Sequence, residues 1–148
     1  MRLPALLTTA FAALLLLSSC APSSSPDAHP SSPPSPTASS PAFLAHNQLA
    51  ADSLPVGIAD TVGVGQDSTR YQGAWDGRDI FLGVKDDSSV CLVTGIPNHL
   101  DSWAAGCGTG NEVVTWKADD GGVIKYLPIA GTATPTGWTR LSDFVFAM

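Results

Sequence analysis

The chain has 148 residues, 44% hydrophobic and 14% charged, with a formal net charge of −6. Its acidic balance argues against nucleic acid and anionic lipid surfaces as partners. Twelve of the 13 acidic residues are aspartate, and Lys and Glu are scarce while Ala, Gly, Pro, Thr and Asp are plentiful.

Residues 1–20 set basic Arg2 ahead of a 15-residue mostly apolar run, Leu3 to Leu17, followed by small residues and Cys20. That order marks an export signal. The run is short of the roughly 20 residues a spanning helix needs, and Ala21-Pro22-Ser23 is no basic stop-transfer cluster. Leu17-Ser18-Ser19-Cys20 resembles the lipobox of bacterial lipoprotein precursors. The resemblance implies removal of a signal peptide, residues 1–19, and thioether attachment of a diacylglyceryl group to Cys20. Two acyl chains hold a protein on a bilayer firmly where one does not. The expected location is therefore the outer face of the plasma membrane, with the lipid bilayer as partner through Cys20. Without Arg2 the mature chain carries 6 basic and 13 acidic residues, a formal charge of −7.

Residues 21–42 contain 7 Pro and 8 Ser among 22 positions. Such a segment cannot bury enough apolar surface to fold and predicts a tether. It would reach on the order of 70 Å extended, at ~3.1 Å per residue, or roughly 26 Å as a flexible coil. Residues 43–148, 106 in all, then form a single small domain with room for one hydrophobic core. Its two cysteines, Cys91 and Cys107, would meet an oxidising compartment and are read as one disulfide. Closing a loop of that size contributes ~3 kcal/mol in the chain-entropy model.

Along this domain, Phe43, Leu44, Leu49 and Ala50 recur near helical spacing, which predicts one short helix over residues 43–53, stopped by Pro55 and Gly57. Val56 to Gln66 is small and Gly-rich and predicts no element. From Thr69 the period becomes two: Tyr71, Gly73 and Trp75 fall on one face, Arg70 and Gln72 on the other. Asp76-Gly77 between extended runs predicts a hairpin, because a type I′ turn needs positive φ twice. Ile80, Leu82 and Val84 alternate on the return strand, and Val90, Leu92 and Thr94 on a third. Gly95 to Gly110 reads as a long loop that the disulfide would pin to the third strand. A second hairpin follows, Val113–Trp116 and Val123–Leu127, and Trp138 to Phe146 reads as a last strand with Phe144 and Phe146 on one face. The fold class is mainly β: an antiparallel meander of about six short strands, twisted and able to curl towards a barrel, with one short N-terminal helix.

Chemistry is sparse. Gly106-Cys107-Gly108-Thr109-Gly110 lacks the spacing and the βαβ setting of a dinucleotide loop, so no cofactor is implied. Asp76, Asp79, Asp86, Asp87, Asp119 and Asp120 fall in or beside turns without the alternating oxygen ligands of a calcium loop, so no metal site is read. His99, Asp101 and Ser102 are triad residue types close in sequence, but a triad is defined by geometry. Trp75, Trp116 and Trp138 suit core or cross-strand packing. Trp103 lies in the loop the disulfide would fasten, where it is either a partner-binding anchor or loop packing. Trp103 and His99 are the candidate partner contacts.

Asp67-Ser68-Thr69-Arg70, the Asp76-Gly77 hairpin, Cys91-Leu92-Val93 and Trp103 ahead of Gly106-Cys107 together resemble small actinobacterial surface lipoproteins that carry no assigned activity. The resemblance implies location and fold type and supplies no catalytic residue. The expected function is a non-catalytic binding or interaction domain, tethered to the membrane, with a cell-wall component or surface protein as partner. The alternatives are a small cell-envelope hydrolase or a structural accessory of an envelope complex.

Overall fold

The computed structural model describes residues 40–148. The lipobox with Cys20, the signal peptide and most of the tether lie outside the described residues. Strands β1 (Arg70–Trp75), β2 (Arg78–Val84), β3 (Val90–Gly95) and β4 (Ala104–Gly108) form one antiparallel meander in the order β1-β2-β3-β4. Strands β5 (Val114–Lys117), β6 (Val123–Tyr126), β7 (Thr139–Arg140) and β8 (Val145–Ala147) form a second antiparallel sheet, ordered β5-β6-β8-β7. The two sheets stay separate and do not close into a barrel.

Period-two alternation explains how the sheets stack. Ile80, Leu82, Val90 and Leu92 meet Val114, Ile124, Tyr126, Val145 and Ala147 of the second sheet in one buried cluster. Phe81, Cys91 and Val93, between them in sequence, point the other way and are buried under Leu54, Ile58, Ala59, Val64 and Trp103. The first sheet is therefore covered on both faces, and every residue of β3 is buried. At Asp76 (φ 49°) and Gly77 (φ 71°) the β1–β2 connection takes the two positive φ values of the expected turn. Cys91 and Cys107 face each other across β3 and β4 and are joined by a disulfide.

Several elements depart from the sequence expectation. Residues 43–53 form no continuous helix, only 3₁₀ turns at Ala42–Ala45 and Ala50–Asp52. Polar side chains there bond backbone outside a helix: Gln48 Nε2 donates to Gln66 O (2.7 Å), and the Asp52 carboxylate accepts from Leu49 N–H (2.8 Å) and Tyr71 N–H (3.0 Å). The α-helix lies further on, α1 (Ile58–Val62), in the stretch that predicted no element. Left-handed glycines, Gly57 and Gly63, bound its five residues, and it docks through Ile58 and Ala59.

The expected loop from Gly95 to Gly110 contains β4, whose small residues pair along β3. The disulfide thus staples two neighbouring strands instead of pinning a loop. The last expected strand is two, β7 and β8, because Ser142 Oγ accepts from Phe144 N–H (3.2 Å) and Val145 N–H (3.1 Å) and reverses the chain between them. Phe144 packs on the inter-sheet cluster, while Phe146 pairs across from Lys125 and is buried outside that cluster, so the two do not share a face. The total is eight strands among the described residues, against about six expected.

A β-bulge in β1 changes its faces. Tyr71 pairs with Phe81 but Gly73 pairs with Ile80, leaving Gln72 as the extra residue. Tyr71 accordingly lies beside Phe81 (ring centroids 5.2 Å apart), whereas Trp75 packs on the inter-sheet cluster. Tyr71, Gly73 and Trp75 do not share a face as simple alternation predicts.

Candidate binding cleft

A cleft of about 320 Å³ runs along the edge of β1 beside the bulge. Residues 43–52 make one wall, Arg70–Gln72 the base of the edge, and the Ser142–Phe144 turn the far wall. Phe43 anchors it from below, packed edge-on against Tyr126 (6.3 Å) and Phe144 (6.4 Å). The volume falls within the ~300–1,000 Å³ of small-ligand pockets.

Most polar groups in the lining are already committed. Arg70 donates from Nε and Nη2 to His46 O (3.2 and 2.7 Å), and from Nη1 to Asp67 O (3.0 Å) and Thr69 O (2.7 Å). Both Asp52 carboxylate oxygens accept backbone N–H groups. Asp143 pairs with Arg140 at 2.6 Å. Gln72 is 8% exposed, and its Oε1 accepts the Ser142 hydroxyl at 2.6 Å, tying β1 to the β7–β8 turn. Ser142 thus gives its proton to an amide and receives two N–H groups, leaving it poorly placed to act as a nucleophile.

Besides Asp143, exposed with one oxygen on Arg140, four side chains remain open. Tyr71 is 38% exposed and Leu49 69%. His46 and Asn47 are exposed, and among the described residues their side chains make no hydrogen bond. The Tyr71 hydroxyl lies 3.4 Å from an Asp79 carboxylate oxygen. Partial burial, then the Asp79 charge and that hydrogen bond, raise the Tyr71 pKa and keep the phenol protonated.

The residues singled out from sequence lie elsewhere. Trp103 is 9% exposed, lying over Gly95 and beside Phe81 at 5.9 Å. A Cβ on Gly95 would sit inside the indole, so this close approach requires glycine. Trp103 is packing and not an exposed anchor, which corrects the binding role considered for it. Its Nε1–H is buried with no hydrogen-bond partner among the described residues. His99 is exposed. It forms no triad with Asp101 and Ser102, because Ser102 Oγ donates to His99 O (2.7 Å) and accepts from Ile96 N–H (2.8 Å).

The turn aspartates do structural work. Asp87 Oδ1 accepts from Ser89 N–H (2.9 Å), which lowers its pKa, and Asp120 Oδ1 accepts from Gly122 N–H (3.0 Å). No cluster of three or more His, Cys, Asp or Glu able to hold a metal occurs among the described residues. Trp75 and Trp116 border the inter-sheet cluster as expected, with Arg78 over Trp116 (5.1 Å), whereas Trp138 lies outside both buried clusters, half-buried with Lys125 over its ring (4.8 Å).

Sequence reasoning missed the cleft because its walls come from three distant stretches. The one available signal was the run of unpatterned polar residues His46, Asn47 and Gln48 inside a segment read as helix. No known protein family, curated protein or solved structure matches the chain.

Proposed function

We propose that the chain is an extracytoplasmic lipoprotein, lipidated on Cys20 and held on the outer face of the plasma membrane. Its residues 43–148 are a non-catalytic binding domain carried on the Pro/Ser-rich tether. The order of charge, apolar run, small residues and cysteine supports the anchor. The Cys91–Cys107 disulfide fits an oxidising compartment.

One observation carries the binding reading. The cleft exposes Tyr71 and Leu49 beside two polar side chains, His46 and Asn47, that make no hydrogen bond among the described residues. A serine hydrolase is disfavoured, because the hydroxyls of Ser142 and Ser102 are both committed to structural hydrogen bonds. The partner class is an envelope component, either a wall polymer or a surface protein.

Two measurements test this. Fractionation of cells expressing Cys20→Ser should move the protein from the membrane to the soluble fraction; equal membrane retention would remove the anchor. Capture from envelope fractions by the full chain in mild detergent should be lost in Tyr71→Ala with the fold intact. Unchanged capture would remove the cleft as contact surface.

A further inference from the structure

We propose that the cleft along β1 takes a neutral saccharide, with a sugar ring against Tyr71 and its hydroxyls shared between His46 and Asn47. This deepens the binding reading above and rests on it. Charge in the lining decides the class first. Arg70 is spent on three backbone carbonyls, Asp52 on two N–H groups, and Asp143 on Arg140. These bonds leave the charges of Arg70 and Asp52 in place but take up most of their hydrogen-bonding positions, so a charged ligand would find few free groups to hold it directly.

The open groups then fit a polyhydroxylated ring. An amide offers two donors and an acceptor, and a neutral imidazole one of each, which suits hydroxyls that both give and accept. Tyr71 and Leu49 supply an exposed apolar surface for the C–H face of such a ring. The Tyr71 hydroxyl is turned to Asp79, so the ring and not the phenol oxygen is what the cleft presents. The proposed lipid and tether set this cleft among envelope glycans. Cleaving a glycoside takes a pair of carboxyl groups, and of the two in the lining Asp52 has both oxygens held by backbone N–H groups, so the sugar is held and not cleaved.

The test uses the full chain in mild detergent, titrated by calorimetry with neutral trisaccharides of glucose, galactose, mannose, arabinose and N-acetylglucosamine. A sulfated trisaccharide and a Pro-rich peptide are titrated in parallel. At least one neutral trisaccharide should bind saturably and better than the sulfated one. Tyr71→Ala should weaken it about tenfold or more, a loss of about 1.4 kcal/mol. Tyr71→Phe should keep it. Asn47→Ala removes an exposed side chain with no hydrogen-bond partner among the described residues, so it should leave the fold intact and weaken binding several-fold.

No binding across the neutral panel, preference for the sulfated sugar, or affinity untouched by both alanine variants would overturn the saccharide. If the peptide or an envelope protein is captured instead through Tyr71, the sugar falls and the binding domain stands. If nothing is captured through Tyr71, both fall.

Discussion

Two stretches before β1 cover the same sheet by different physics. Residues 54–64 attach by burial: Leu54, Ile58, Ala59 and Val64 lie against Phe81, Cys91 and Val93. Residues 43–52 pack two side chains on the inter-sheet cluster, Phe43 buried and Leu44 partly so, and are otherwise attached by hydrogen bonds. Gln48 reaches Gln66 and Thr69, Asp52 holds the Tyr71 N–H, and Arg70 holds the His46 carbonyl. Apolar packing is non-directional and fills space. Hydrogen bonds fix a few points, contribute ~0.5–1.5 kcal/mol each, and leave the side chains between those points open. The cleft lies only on the hydrogen-bonded stretch. Stability and site-shaping are assigned to separate pieces of chain.

The largest expected effect tests the buried stretch. Ile58→Ala removes a core side chain under α1 and should cost about 3 kcal/mol in chemical denaturation. Amide resonances of His46, Asn47 and Tyr71 should hardly move. A cost under about 1 kcal/mol, or cleft resonances displaced as far as those of α1, would break the division.

Asp52→Ala should do the reverse. It strips the acceptor from two N–H groups in a partly exposed setting, for a loss of about 1–2 kcal/mol. Its resonance changes should concentrate on residues 46–52 and Tyr71. Comparable disturbance of Ile58 and Ala59 would show the two stretches acting as one unit.

The same contrast governs what could be read from sequence. Strands β1, β2, β3, β5 and β6 announce themselves because alternation and turn chemistry are local, as at Asp76-Gly77. Strand β4 does not, since Ala104-Ala105-Gly106 lacks β-branched residues and becomes a strand by pairing with β3. Helix α1 is too short for periodicity to register, and the small, Gly-rich run that holds it points to no particular element. Simple alternation put Tyr71 beside Trp75; one unpaired residue, Gln72, moved it to the opposite face. The cleft was the least legible part, because Gln72 meets Ser142 across 70 residues of sequence. Trp103 misled for the same reason: the space it fills is made by Gly95, on another element.

The smallest effect concerns alkaline pH and the two tyrosines, Tyr71 and Tyr126. Tyr71 is at the cleft, its pKa raised above 10.0 by partial burial, the Asp79 charge and the Asp79 hydrogen bond. Tyr126 is in the inter-sheet cluster, its pKa raised above 10.0 by burial alone. Each folded phenol keeps its proton where the unfolded one has begun to lose it, so between the two pKa values the folded state binds more protons. The stabilisation is full below pH 10.0 and is lost as pH climbs through the folded values. Tyr71→Phe and Tyr126→Phe should each flatten the fall in stability above that pH. The Tyr71 change should be the weaker one, because solvent screens a side chain this exposed. Denaturation midpoints of the two variants and the parent, taken across that range, decide it. Parallel curves for all three would mean neither environment reaches its phenol. A larger flattening from Tyr71 than from Tyr126 would mean the cleft is drier than its exposure implies, and the contrast between an open and a filled covering would weaken.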